Sequence, residues 1–182
     1  MASDRRRVPR ALVVLGALLL AWAVAAPTFF LTVRTSEDPR TEVLYVLGSE
    51  DRIDLGLAAL DRGEAEVLVL SAADPQREVC RTGDHRGHLV LCPQPDPMTT
   101  QGEAIQLSEL AAAYGWTDIT VVTHRAHLRR TSILMGRCHD GPLRYRSDGV
   151  EFGWPIVVGQ LVYETGAMVK TMVTPGCRQT LG

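Results

Sequence analysis

The chain has 182 residues, 46% hydrophobic and 22% charged, with 16 Gly and 10 Pro scattered along it. That composition excludes a disordered, collagen-like or coiled-coil chain. Residues 1–34 carry five Arg against one Asp, so the remainder holds 14 basic and 20 acidic residues, a formal charge of −6 and the wrong sign for a nucleic-acid binder.

Residues 11–33 (ALVVLGALLLAWAVAAPTFFLTV) run 23 positions without a charge, and a helix needs about 20 apolar residues to cross a bilayer. Arg5, Arg6, Arg7 and Arg10 precede the run, while Arg34 and Arg40 beyond it are offset by Glu37, Asp38 and Glu42. The positive-inside rule therefore predicts a cytoplasmic tail over 1–10, a transmembrane signal-anchor over 11–33 and an extracytoplasmic domain. The alternative is a signal peptide cleaved near Ala23-Val24-Ala25; continuation of the apolar run through TFFLTV favours the anchor. About 148 residues then remain, enough for one domain with its own core.

A polar linker (34–41, RTSEDPRT) leads into the domain, 42–182. Residues 42–48 (EVLYVLG) predict a buried parallel strand closed by Gly. Residues 51–62 place Ile53, Leu57 and Leu60 at helical spacing ahead of Gly63, hence a helix. Residues 66–71 (EVLVLS) form a second strand, and 88–92 (HLVLC) a short one after a polar stretch. Alternating Pro93, Pro95 and Pro97 keep the next passage extended. A helix over 101–114 stops at Gly115, a strand over 118–123 (DITVVT) runs straight into a helix over 125–136, and 143–146 reads as an edge strand. Pro155 precedes a last helix over 157–172. Strands alternating with helices predict an α/β fold, with a mostly parallel sheet and helices on both faces.

Cys80, Cys92, Cys138 and Cys177 all lie beyond the apolar run, where an oxidising compartment favours two disulfides. Of the three connectivities we expect Cys80–Cys92, bracketing one short excursion, and Cys138–Cys177, fastening the tail. The competing reading takes Cys80, His85, His88 and Cys92 as tetrahedral zinc ligands. Their spacing fits no common zinc finger, so no metal is expected.

Ligands in such sheets gather outside the carboxyl ends of the strands. There the segment DITVVTHRAHLRRT turns a strand into a helix, whose first N–H groups favour an anion. Thr123 adds a hydroxyl, and His127 and Arg130, three apart, share one face suited to a phosphate or carboxylate. His124 and Arg125 read as solvated and Arg129 as a surface pair. Thr100-x-x-Glu103 has the form of a capping box. Alternatively, Glu103 meets His127 or Arg130 and orients the imidazole as donor or base.

Several of these segments resemble the YdcF-like family, which includes the SanA/ElyC-type bacterial envelope proteins. VLYVLGSEDR offers Gly48, Ser49 and Arg52 where the family's first strand ends in VVLGGG with an Arg a few residues on, and LVLSAAD keeps Ser71 of its SGG. Thr99-Thr100-Gln101-Gly102-Glu103-Ala104 is similar to its Asn/Thr-Thr-x-acidic-Glu/Asn-Ala box. VVTHRAHLRRT is similar to its VTSAFHMxRA hallmark, matched by Thr123, His127 and Arg130, and QLVYETGAMVK to its late helix with a Glu, here Glu164. Over residues 42–172 the resemblance implies a three-layer Rossmann-like domain behind one transmembrane helix. It also implies a role in envelope integrity and cell-wall precursor or lipid-carrier metabolism, and for some members S-adenosylmethionine binding. No methyltransferase Gly-rich loop accompanies Asp74, the nearest acidic residue after the second strand.

The expected pocket comprises Gly48, Ser49, Arg52, Ser71, Thr100, Glu103, Thr123, His127 and Arg130. The leading expectation is a membrane-anchored protein of envelope maintenance that binds a small anionic or phosphorylated ligand, with no identified cofactor. The alternatives are a hydrolase or transferase with His127 and Glu103 as acid and base, an S-adenosylmethionine binder, or an interaction domain that retains only the fold.

Overall fold

The computed structural model describes residues 9–48, 52–174 and 176–177; the expectations for Arg5, Arg6, Arg7 and Ser49 lie outside these. Helix α1, Arg10–Leu31, has 22 residues, about 33 Å at roughly 1.5 Å per residue. Among the described residues it is the one helix long and apolar enough to cross a membrane. Its two halves differ. Leu12, Leu15 and Leu19 project freely, whereas Ala26 and Phe30 are buried against Leu161 and Met168 of the last helix.

The rest is an α/β domain. In chain order come β1 (Thr41–Val46), α2 (Ile53–Asp61), β2 (Ala65–Leu70), α3 (Glu78–Thr82), β3 (Asp84–His85), β4 (His88–Leu91), α4 (Thr100–Tyr114) and β5 (Ile119–Thr123). A 3-10 turn (Arg125–His127), α5 (Leu128–Cys138), β6 (Leu143–Ser147) and α6 (Trp154–Val173) complete it. The strand order is β3-β4-β2-β1-β5-β6, parallel throughout except for β3 against β4.

β1 shows why its sequence is apolar at consecutive positions. Val43 and Tyr45 pack with Leu107 and Ala111 of α4 and Met135 of α5, while Leu44 and Val46 pack with Ile53 and Leu60 of α2. A strand covered on both faces cannot alternate with polar residues. Each such fully buried side chain contributes roughly 1.5–3 kcal/mol by transfer from water. The chain adds β2 and β4 on one side of β1 and then returns to add β5 on the other. That reversal opens a crevice at the carboxyl ends of β1 and β5.

Several elements depart from the sequence expectation. α3 and β3 were not foreseen, because a five-residue helix and a two-residue strand in a polar stretch carry no periodicity to read. The expected helix over 125–136 is split, with the 3-10 turn taking its first residues. Pro155 falls inside the first turn of α6 instead of preceding it, where its missing N–H costs nothing. Cys80 and Cys92 are joined, with Cα atoms 5.4 Å apart, which removes both thiolates from the zinc alternative. His85 Nε2 lies 3.0 Å from Asp61 Oδ1 instead. Cys138 and Cys177, Cα atoms 4.9 Å apart, are also joined, and Gln101 Nε2 donates to the Cys177 carbonyl at 2.8 Å, holding the tail beside α4.

Candidate functional site

The start of α4 decides what faces the crevice. The capping box expected from Thr100 does not form: Thr99 is the N-cap, its hydroxyl accepting from the Gly102 N–H at 3.2 Å. Gly102 sits so close to the preceding turn that a Cβ there would collide with the Pro97 carbonyl. With the cap one residue earlier, Thr100 becomes the first helical residue and its hydroxyl is released to the crevice. Glu103 is released as well, and its Oε1 accepts from the Gly48 N–H at 3.2 Å. A Cβ on Gly48 would come within 3.3 Å of that oxygen, so a glycine gives this contact its room.

These groups open onto a cleft of about 490 Å³ lined by Gly48, Arg52, Thr100, Glu103, Thr123, His127 and Arg130. Ser71 does not line it. It is buried next to Glu103 and Tyr45, and its hydroxyl completes no hydrogen bond of normal geometry among the described residues. Ser49 lies outside the described residues.

At the centre is a carboxylate that sequence reasoning left out of the pocket. Glu164 of α6 is 1% exposed. Its Oε1 accepts from His127 Nδ1 at 2.9 Å and Arg130 Nη2 at 3.1 Å, and its Oε2 from Arg130 Nε at 2.8 Å. Arg130 Nη1 donates to Thr100 Oγ1 at 3.1 Å, and His127 Nε2 lies 3.3 Å from the same oxygen. A neutral His127 with its proton on Nδ1 accounts for the contacts to Glu164 and Thr100: Nδ1–H donates to Glu164, and the Thr100 hydroxyl accepts from Arg130 and donates to Nε2. The 3.0 Å approach of Arg130 Nη2 to His127 Nδ1 is then a meeting of two donors on one oxygen.

Electrostatics agree with that assignment. Burial holds His127 below the ordinary histidine value, with Arg130 adding to the effect against the opposing Glu164 hydrogen bond. Burial works to raise Glu164, but hydrogen bonds from His127 and Arg130 outweigh it and hold the carboxyl at about 2. The result is an ionised Glu164, a neutral His127 and a cationic Arg130 in one buried array.

Glu103 was expected to meet His127 or Arg130; no hydrogen bond or ion pair joins it to either among the described residues, and Glu164 takes that place. Burial raises Glu103 above its ordinary value, opposed by the neighbouring Ser71 and the Gly48 N–H. Arg52 is clamped across the cleft, its Nε donating to Asp148 Oδ2 at 2.7 Å and its Nη1 to the Leu47 carbonyl at 3.1 Å.

Two further residues, His124 and Arg129, differ from expectation. His124 is half-buried, not solvated: its Nδ1 accepts from the His127 N–H at 3.2 Å, and burial lowers it to about 4. Arg125 is exposed, as expected, and its Nε donates to the Leu31 carbonyl at 3.0 Å. Arg129 meets no carboxylate among the described residues; it donates to the Phe29 carbonyl at 3.1 Å and lies 4.9 Å over the Phe29 ring. Both arginines thus meet the negative end of the α1 dipole.

His124, His127 and Glu164 bring three ligand atoms within 4.8 Å of one another, yet their donors are already committed. His124 Nδ1 caps the 3-10 turn, Glu164 already accepts three hydrogen bonds, and the Arg130 guanidinium would repel a cation. Lys170, which sequence reasoning also missed, lines the cleft, and its ammonium makes no hydrogen bond or ion pair among the described residues. The signal for Glu164 was its isolation as the single acid in an apolar helix; Lys170 is likewise the single base. No family model, curated protein or solved structure matches the chain.

Proposed function

We propose that the chain is a membrane-anchored protein of YdcF-like type, with a three-layer Rossmann-like domain outside the cytoplasm. Its cleft binds a small anionic or phosphorylated ligand in envelope maintenance, and cell-wall precursor metabolism is the linked process. The address is supported by the Arg-flanked apolar α1 and by two disulfides, which persist in oxidising compartments.

The observation that carries the ligand class is the cleft at the reversal point. The N-terminus of α4 opens into it, Lys170 is uncommitted, and Arg130 uses three of its five N–H groups on partners among the described residues. Glu164 does not compete for the ligand; it fixes the guanidinium plane. Mass spectrometry of the full chain purified in detergent should reveal a retained anion, and calorimetry should detect inorganic phosphate binding. Lys170→Ala should weaken that binding about ten- to a hundredfold, the equivalent of losing one hydrogen bond to a charged group. A chain that retains no anion and ignores phosphate would defeat this reading.

A second reading is favoured by the Glu164–His127–Thr100 chain. A carboxylate orients an imidazole whose other nitrogen meets a hydroxyl, the arrangement of a nucleophile with its general base. A hydrolase or transferase would then use His127 with Glu164, and not with Glu103. Thr100→Val separates the two readings: a binder keeps its affinity within a few-fold, whereas an enzyme of this kind loses turnover.

A further inference from the structure

Helix α6 has two faces that do not match a helix on the surface of a soluble domain. Leu161, Glu164, Met168 and Thr171 point inward. The opposite face presents Ile156, Val162, Tyr163, Val169 and Val173 to the exterior, with Tyr163 67% exposed. Its two charged residues are the buried Glu164 and Lys170, which faces the cleft. An apolar stripe of this length is not left bare in water.

The way α1 is held says what covers it. The domain grips α1 over residues 22–31: Ala26 and Phe30 are buried with Leu161 and Met168, Trp22 Nε1 donates to Thr165 Oγ1 at 3.2 Å, and Arg125 and Arg129 take the last carbonyls. Only residues 10–21 stand free, about 18 Å of helix at roughly 1.5 Å per residue. The hydrocarbon core is about 30 Å thick. A span made from the free part alone falls about 12 Å short, so the gripped part must also lie in hydrocarbon. Val24, on the side of the gripped part that the domain leaves open, is suitably apolar and exposed. Ala26 and Phe30 carry Leu161 and Met168 of α6 into the membrane with them, with Ile133 of α5 alongside, whereas Arg125 and Arg129 meet the carbonyls of Leu31 and Phe29 at the end of the span, where the headgroups begin.

We propose that α6 is a membrane-inserted helix whose outward face, Ile156, Val162, Tyr163 and Val169, lies among the acyl chains of the leaflet into which α1 emerges. Trp154, 74% exposed at the start of α6, then sits at the headgroup level favoured by Trp. Tyr163 and Lys170 also line the cleft, so one wall of the site is formed by a lipid-embedded helix. The ligand class this favours is an amphiphile: an anionic head in the cleft and an acyl or prenyl tail left in the leaflet. The inference rests on the reading of α1 as a membrane span.

The test uses the full chain reconstituted in vesicles of phosphatidylethanolamine and phosphatidylglycerol, doped with a phospholipid bearing a diazirine on its acyl chain. After photolysis, labelled peptides are mapped by mass spectrometry. The expected result is label on α6 comparable to that on α1 and on the order of tenfold above α2, which packs on the sheet far from α1. Label on α1 with α6 at the α2 level overturns the proposal and leaves the anchor reading standing. No label on α1 overturns the anchor reading, and the proposal with it. Cross-links between α6 of two copies in place of lipid adducts also overturn it, because a second chain then covers the stripe.

Discussion

The two edges of the sheet use the same residue types to opposite effect. At the amino edge, Arg144 lies against Asp38 and Asp118, and Arg146 lies 3.2 Å from Glu64, near a shallow surface depression. At the carboxyl edge, Arg130 meets Glu164 and Arg52 meets Asp148, with both carboxylates almost wholly excluded from water. Solvent reaches the acids that pair with Arg144 and screens them, and such pairs contribute little; Arg146 and Glu64 are only partly shielded. The second set has surrendered its hydration, so each member depends on the others for the charge it carries. What distinguishes the candidate site is therefore the environment of its charges and not their number.

The sharpest way to break that contrast is Glu164→Ala. It leaves Arg130 and His127 buried without their acceptor and should cost about 3–5 kcal/mol in chemical unfolding. Acidification comes next. His124 and His127 are both held below their ordinary value of 6.5, so the unfolded chain binds protons that the folded chain refuses. Their contribution is complete above pH 6.5 and is lost as pH falls, through about 4 for His124. Glu164 continues the loss between 4.5 and about 2. Glu103, shifted upward, opposes them: its ionisation costs stability as pH rises above 4.5. Thermal unfolding across this range should show a net fall toward acid. Asp148→Asn should cost about 1–3 kcal/mol, because Arg52 keeps a neutral acceptor but loses its counter-charge. Arg144→Ala, at the amino edge, should cost about 1 kcal/mol or less and fade with added salt. A large cost there would erase the distinction between the edges.

The sheet was legible because buried parallel strands are short, uniformly apolar and bounded by Gly or polar residues, as in 42–48 and 118–123. The cleft was legible in part, since the strand-to-helix passage at Thr123 marks the edge where Arg130 and His127 stand. Which carboxylate meets them was not. Thr100 and Glu103 satisfy the spacing of a capping box, and nothing local reveals that the Gly102–Pro97 contact moves the cap to Thr99. Glu164 stands out as the single acid of an apolar helix, but it is distant in sequence, and its meeting with His127 and Arg130 comes only through the packing of α6. The same holds for Arg125 and Arg129, whose acceptors are carbonyls at the end of α1.

The protonation of His127 tests the account most directly, because the whole array depends on it. Nitrogen-15 NMR of the full chain, followed from pH 8 to pH 4, reports each ring nitrogen separately. The account predicts a neutral ring at pH 7 with the proton on Nδ1 and Nε2 bare, gaining its second proton only well below the ordinary histidine value. A ring that titrates at or above 6.5, or carries its single proton on Nε2, would contradict it.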